Sequence, residues 1–304
     1  MTKVRDFLGP YRLARLIRMG SSCQVWEAIK EGDQQRYALK VLRNEFRGNK
    51  EELGYLKNEY AIGSTLNHPR IIKMYEFVTD AETPFLVLEL FSELNMKQAL
   101  REGPDPIAYI VEKCVEYSAE ALSYLHTRGY LHCDLKPDNL LVDREGEMKL
   151  IDFTIAEKQK KGLSKLFGGR SQVRGTRSYM SPEQIRGKVM DPRSDIYSFG
   201  CVLFELVTGR PPYTGDTPNA LLNKHLQAPI PSVLVHNSNV SDEFAGLIKR
   251  MMAKQPNERP ETMWEFLKKF RGMKLFKKAP RVPEVSIFDS HPAARTRPED
   301  MFKT

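Results

Sequence analysis

The sequence predicts an α+β fold in two lobes: a small antiparallel sheet with one helix, then a larger, mainly helical lobe. Three observations lead there. Apolar and polar residues alternate with period two over much of the first 90 residues, as half-buried strands do. The periodicity then becomes helical and stays so to about residue 271. The polar residues best suited to chemistry gather where one pattern gives way to the other, which is where a ligand cleft between lobes is expected.

The elements follow in order. "YRLARLIRMG" and "SCQVWEAIK" read as two strands around a turn, and "RYALKVL" as a third. "NKEELGYLKNEYAIGSTLN" reads as a helix ended by Asn67-His68-Pro69, since the residue before a proline resists helix. "IIKMYEFVTD" and "PFLVLEL" are two further strands. A long helix is predicted from about Pro106 to Arg128, with Ile110, Val111, Cys114, Val115, Leu122 and Leu125 near one face. "SDIYSFGCVLFELVTG" is apolar nearly all round, so it is a buried helix, with Ser194 expected as N-cap and Gly209 as its stop. "DTPNALLNKHLQ", "SDEFAGLIKRMMAK" and "ETMWEFLKKF" are further helices. From about Gly272 the periodicity is lost, and a basic, Pro-containing tail is expected, extended or packed on the domain.

Composition narrows the function classes. The 304 residues are 41% hydrophobic and 28% charged, an ordinary globular balance. No stretch approaches the roughly 20 apolar residues that span a bilayer, and the N-terminus lacks a signal-peptide core, so a cytoplasmic protein is expected. Cys23, Cys114, Cys133 and Cys201 are scattered without C-x-x-C spacing, which suggests neither zinc nor disulfides. The net charge of +8 is uneven: residues 157–177 hold seven basic residues against one acidic, and 271–304 hold eight against four. Neither region interleaves aromatics with cations as single-strand binders do, so no nucleic-acid partner is expected.

The polar motifs have an order: Lys40 in "YALK", Glu59 in the following helix, then "HCDLKPDN", "DFT" and "SPE". This resembles the eukaryotic-type protein kinase family over roughly residues 11–271, with a small lobe at about 11–91, a large one at about 92–271, an extension at 1–10 and the tail at 272–304. The resemblance implies ATP with Mg²⁺, or Mn²⁺ in its place, and protein substrates bearing Ser or Thr. It implies that Lys40 holds the α- and β-phosphates and that Glu59 holds Lys40; Glu51 and Glu52 compete at worse spacing. By the same matches, Asn139 and Asp152 bind metal, Asp134 accepts the proton of the attacking hydroxyl, and Lys136 approaches the γ-phosphate. "GT" at Gly175-Thr176 and Lys136 match the serine/threonine-specific class. Val25, Ala38 and Leu141 would enclose the adenine, Leu88 would lie behind it, and the backbone of Glu89 and Phe91 would meet its edge. His132, Phe153, Asp195 and the pair Glu183–Arg259 match architectural positions. Ser164, Ser171, Thr176 and Ser178 are candidate autophosphorylation sites. The sequence sets no oligomeric state.

The sequence departs from the family pattern at four places. In the phosphate loop "RMGSSCQV" only Gly20 survives of three glycines, so the loop is expected to be stiffer and ATP binding weaker, with Gly20, Ser21 and Ser22 still offering backbone N–H groups. Cys133 replaces the Arg that usually pairs with a phosphate on the activation segment, so that charge-assisted switch is absent. Thr154 replaces the Gly after Asp-Phe; its β-branch disfavours positive φ and is expected to restrain that segment. Gly63 stands where a bulky apolar residue is usual; a mid-helix glycine that leaves Phe153 underpacked is expected, with Phe276, Ile287 and Phe288 of the tail as compensating anchors. The function implied is an active serine/threonine kinase whose activation does not depend on an Arg in the catalytic loop. The alternatives are a nucleotide-binding scaffold that signals through protein contacts, as in pseudokinases, and a small-molecule kinase.

Overall fold

A computed structural model describes residues 7–79, 83–159 and 174–290. The chain divides into two compact units, one running up to Ser92 and joined by Asp152–Ile155, the other made of Glu93–Ile151 and the chain from Ala156 onward.

The first unit is an antiparallel sheet with one helix. Its strands are β1 (Phe7–Leu8), β2 (Tyr11–Met19), β3 (Cys23–Lys30), β4 (Arg36–Leu42), β5 (Met74–Val78) and β6 (Phe85–Glu89), in the order β1-β2-β3-β4-β6-β5. Two register shifts between β2 and β3 bend that edge. Tyr11, Ala28, Leu39, Val41, Phe85 and Val87 form a core on one face of the sheet. Residues on alternate positions face the other way. The helix α1 (Lys50–Gly63) is capped by Asn49, whose side chain accepts the N–H groups of Glu51 and Glu52.

Gly63 corrects the expectation of a weak point inside the helix. It is the last residue of α1, and the buried Met74 side chain lies against it: a Cβ on Gly63 would sit 2.3 Å from Met74 Sδ. Phe153 is fully buried. The bulk missing at position 63 is thus supplied by Met74. Gly63→Leu is expected to cost roughly 1–3 kcal/mol through overpacking, and adding Met74→Ala to recover most of it; denaturant unfolding of the two variants checks this.

The second unit is mainly helical. It holds β7 (Leu94–Asn95), α2 (Met96–Ala99), α3 (Ala108–Thr127), β8 (Tyr130–Leu131), β9 (Leu140–Val142), β10 (Met148–Leu150), β11 (Glu157–Lys158), α4 (Pro182–Ile185), α5 (Pro192–Thr208), α6 (Pro218–Gln227), α7 (Asp242–Met251) and α8 (Met263–Phe270). β10-β9-β7 form one small sheet and β11-β8 another, so the loops after β8 and β10 are each anchored by a strand pair. α5 is buried along nearly its whole length, as its sequence requires. Its start differs from expectation. Asp191, not Ser194, is the N-cap, accepting from Arg193 N at 3.0 Å, because Pro192 is preset for the first helical position where no N–H is needed. Ser194 is inside and donates to Glu183 Oε1 at 2.6 Å. Gly209 ends the helix at φ 74, in the left-handed region.

The described part of the tail packs on this unit. Ser241 N donates to Leu275 O at 3.0 Å and Lys277 N to Asn239 O at 2.7 Å, and Arg144 pairs with Asp289 at 3.0 Å. Leu275 and Phe288 are buried, whereas Phe276 and Ile287 are half-buried, so Leu275 takes the anchoring place expected of Phe276. No helix among the described residues is long and apolar enough to cross a membrane.

Candidate active site

The first unit places a lysine among acids. Val25 lies opposite Lys40, and Lys40 opposite Leu86; Ala38 lies opposite Leu88. Directly opposed residues share a face, so Val25, Ala38, Lys40 and Leu88 line one side of the sheet. Lys40 Nζ reaches Glu59 Oε2 at 2.6 Å, Asp152 Oδ1 at 3.1 Å and Thr154 Oγ1 at 3.2 Å. Glu59 comes from α1 and is 2% exposed. Burial works against the charge on Lys40, but Asp152 and Glu59 more than offset it and raise its pKa, so the ammonium is kept. Glu51 lies in the exposed first turn of α1, where its carboxylate accepts from Tyr55. Asp152 takes φ 70, a conformation that L residues rarely adopt, whereas Thr154 does not. Asn58 Nδ2 holds the following backbone by donating to Thr154 O at 3.1 Å.

The phosphate loop joins β2 to β3. Gly20 N donates to Cys23 O at 2.8 Å, so this amide, expected to be on offer, is spent within the turn. Ser21 is exposed and Ser22 half-buried. Arg43, at the end of β4, ties the loop down: its Nη1 donates to Ser21 O at 3.0 Å and its N–H to Ser22 O at 2.8 Å. Cys23 is half-buried, and burial pushes its thiol pKa up, so it rests as a thiol. Glu89 N donates to Lys73 O at 2.8 Å, and Phe91 follows β6 in a half-buried position.

The second unit carries the loop His132–Asn139. Asp195 of α5 accepts the N–H of His132 at 2.8 Å and of Cys133 at 3.0 Å. His126 Nε2 lies 2.8 Å from Oδ2, the oxygen that also accepts His132 N–H. Burial alone would raise this carboxyl; His126 and the His132 contacts reverse that and hold it low. His132 Nε2 meets Ile151 O at 3.1 Å. Asp134 Oδ1 accepts Thr176 N and Thr176 Oγ1, each at 2.8 Å, and Lys136 Nζ sits 2.6 Å from Asp134 Oδ2 and 2.9 Å from Thr176 Oγ1. Asn139 Nδ2 donates to Asp134 O at 2.9 Å. Asn139 is fully buried, and among the described residues its Oδ1 has no hydrogen-bond partner. Leu141 lies on β9, Ser178 is half-buried, and Ser164 and Ser171 lie outside the described residues.

Two carbonyls and an amide take the place of the missing arginine. Cys133 is buried at φ 67. The Gln184 amide, 4% exposed, donates to Cys133 O at 2.8 Å and to Arg174 O at 2.7 Å, using both its protons. It joins the catalytic loop to the segment carrying Thr176 without any phosphate. Gly175 at φ 115 passes so close that a Cβ there would lie 2.9 Å from Gln184 Nε2. Gln184→Leu removes the donor that both carbonyls share, and a loss of about 1–3 kcal/mol is expected; urea unfolding reads it.

The sequence of the chain matches the protein kinase domain over residues 11–270. The chain belongs to the protein kinase family. It is similar to the serine/threonine-protein kinase PknB of Mycolicibacterium smegmatis, 31% identical over 87% of this chain, and to PrkC of Bacillus subtilis, 32% identical over 84%. Those matches cover 43% and 39% of the two relatives, so this chain spans about two fifths of their length. In this kinase domain Glu183 and Arg259, predicted as a pair, meet at 2.7 and 3.0 Å. Three contributors were missed from sequence: Arg43, Gln184 and the hydroxyl of Thr154. Only Thr154 carried a signal, as an unusual letter, and it was read for its backbone rather than its oxygen.

A metal ion has donors of the right kind here. Among the described residues no three His, Cys, Asp or Glu side chains converge as a cage. Mg²⁺ needs none, since it takes one or two carboxylates with phosphate and water oxygens. The Asp152 carboxylate in the first unit is a donor of that kind, and so, in the second unit, is Asn139 Oδ1, which has no hydrogen-bond partner among the described residues.

Proposed function

We propose that this chain is an active serine/threonine protein kinase that transfers the γ-phosphoryl group of MgATP to Ser or Thr hydroxyls of proteins, itself included, in the cytoplasm. The observation that carries the reading is the setting of Asp134, oriented by Thr176 and flanked by Lys136. Phosphoryl transfer asks little covalent chemistry of the protein; it asks for positioning and for neutralised charge. Lys40, held by Glu59, takes the α- and β-phosphates. Val25, Ala38, Leu88 and Leu141 enclose the adenine, with the main chain of Glu89 and Phe91 at its edge. Asn139 and Asp152 would hold a divalent cation, Mg²⁺ or Mn²⁺, which would supply neutralising charge to the phosphates. Asp134 orients the acceptor hydroxyl and takes its proton as the new O–P bond forms and the bond to the β–γ bridging oxygen breaks. Lys136 lies where charge develops on the transferred group.

Activation does not pass through a catalytic-loop Arg: Cys133 carries no cation, and Gln184 supports the tie between loop and segment. The scaffold reading draws on the depleted phosphate loop, yet every residue that the chemistry needs is present. The experiment is transfer of labelled phosphate from ATP to a generic basic protein, followed by acid hydrolysis. Label on phosphoserine and phosphothreonine supports the reading. Label only on a small alcohol, or none, refutes it.

A further inference from the structure

Thr154 stands where three charged groups of the first unit meet. Its Oγ1 lies 2.5 Å from Asp152 Oδ1, 3.0 Å from Glu59 Oε2 and 3.2 Å from Lys40 Nζ. A hydroxyl has one proton to give and two lone pairs to receive. Lys40 can only donate, so Oγ1 accepts from it, and the hydroxyl proton goes to one carboxylate at a time. The shorter contact is with Asp152. Glycine at this position has no side-chain oxygen, and the three groups would then be linked only through Lys40. The backbone of Thr154 is itself fixed by Asn58, so the hydroxyl is presented from a held position.

The carboxylate concerned is 27% exposed, against 2% for Glu59. A metal-binding carboxylate that wanders binds less tightly, and groups that hydrogen-bond a ligand orient it. We propose that Thr154 is a positioning residue: its hydroxyl fixes the Asp152 carboxylate against Lys40 and Glu59 in the orientation that receives the divalent cation. This rests on the assignment of Asp152 as a metal ligand. It also gives the letter that departs from the family a chemical role. The side chain adds a neutral donor between two acids, which shields Asp152 from Glu59 while adding no charge that would repel a cation.

The test is Mn²⁺ binding followed by electron paramagnetic resonance, with the chain saturated by a non-hydrolysable ATP analogue, so that no turnover is needed. Thr154→Val keeps the shape and removes the hydroxyl; its Mn²⁺ affinity is expected to fall about tenfold or more. Thr154→Ser keeps the hydroxyl and is expected to bind Mn²⁺ as the wild type does. Thr154→Ala, which adds no bulk, should behave as Thr154→Val and serves if that variant does not fold. Wild-type affinity in Thr154→Val or Thr154→Ala overturns the proposal, and so does equal weakening in Thr154→Ser. A wild type that takes up the nucleotide and no Mn²⁺ overturns both the metal assignment and the role of Thr154.

Discussion

Replacing Asp134 by Asn is expected to lower phosphoryl transfer by about 10²–10⁴-fold, the range that a positioned proton acceptor contributes. The variant is informative because the structure lets it fold. An amide oxygen at the Oδ1 position still accepts Thr176 N and Oγ1, which now lie 2.8 Å from it. The amide nitrogen then replaces Oδ2, and the 2.6 Å contact with Lys136 is lost. The substrate hydroxyl loses the only partner in this pair of oxygens that can take its proton. Affinity for an ATP analogue should not change, since Asp134 holds neither base nor metal in this account. Initial rates beside analogue binding check both halves. A variant that transfers at the wild-type rate shows that Asp134 is not the acceptor.

Arg259→Ala is expected to destabilise the second unit by about 3–5 kcal/mol, the range for leaving one member of a buried ion pair alone. Arg259 is 2% exposed. It donates to both oxygens of Glu183 and to the carbonyls of Ala253 at 2.8 Å and Arg193 at 2.7 Å, and its guanidinium lies 4.9 Å from the centre of the Tyr197 ring. The alanine variant leaves the buried Glu183 carboxylate without its cation, with only the Ser194 hydroxyl still donating to its side chain among the described residues, and removes the Arg259 donors to the carbonyls of Ala253, Arg193 and Lys254. The pH dependence has a definite sign. Burial alone would raise the Glu183 pKa, but Arg259 and Ser194 hold it below the ordinary value. In the wild type, Glu183 therefore contributes stability that is present above the ordinary carboxylate pKa and lost as pH falls through its depressed one. Without Arg259 the carboxyl is left to burial and its pKa rises, so the variant's deficit should shrink as the solution is acidified. Urea unfolding at neutral and acid pH reads both effects; a deficit that does not change with pH contradicts the assignment.

The sequence carried the fold well where periodicity and breakers agreed. Alternation in "RYALKVL" and the all-apolar stretch of α5 each admit one placement. It also carried the pairing of Lys40 with Glu59, which meet at 2.6 Å. What it did not carry depends on contacts between segments distant in the chain. Nothing in the letters around Gly63 says that Met74 fills its space, 11 positions on. Nothing around Gln184 says that its amide reaches Cys133 O, 51 positions away. Ser194 was misread as a cap because Asp191 followed by proline was the better start, and a serine inside a helix can serve a buried partner. Arg43 looked like one cation among many; only the loop conformation shows that it receives two carbonyls with nowhere else to turn.

These contacts bear on how the variant letters fit the proposed activity. Cys133 lacks the cation that the family pattern places there, while the Gln184 amide ties down its backbone carbonyl. Thr154 adds an oxygen beside Asp152 and takes none away. Met74 restores the packing beside Gly63. The phosphate loop is the one region where the departure is not made good, since the Gly20 amide is turned inward. Weaker nucleotide binding with intact transfer is the expected kinetic signature.

The measurement that bears most directly on the whole account is transfer of labelled γ-phosphate by phosphatase-treated wild-type protein, beside Asp152→Asn, with ATP and Mg²⁺ and a generic basic protein as acceptor. The account predicts transfer to Ser and Thr by the wild type without prior phosphorylation, and a fall of orders of magnitude in the variant, which loses the carboxylate that contacts Lys40 and that we propose as a metal ligand. Equal, background-level labelling in the two proteins, with ATP still stabilising the fold of the wild type, would contradict it.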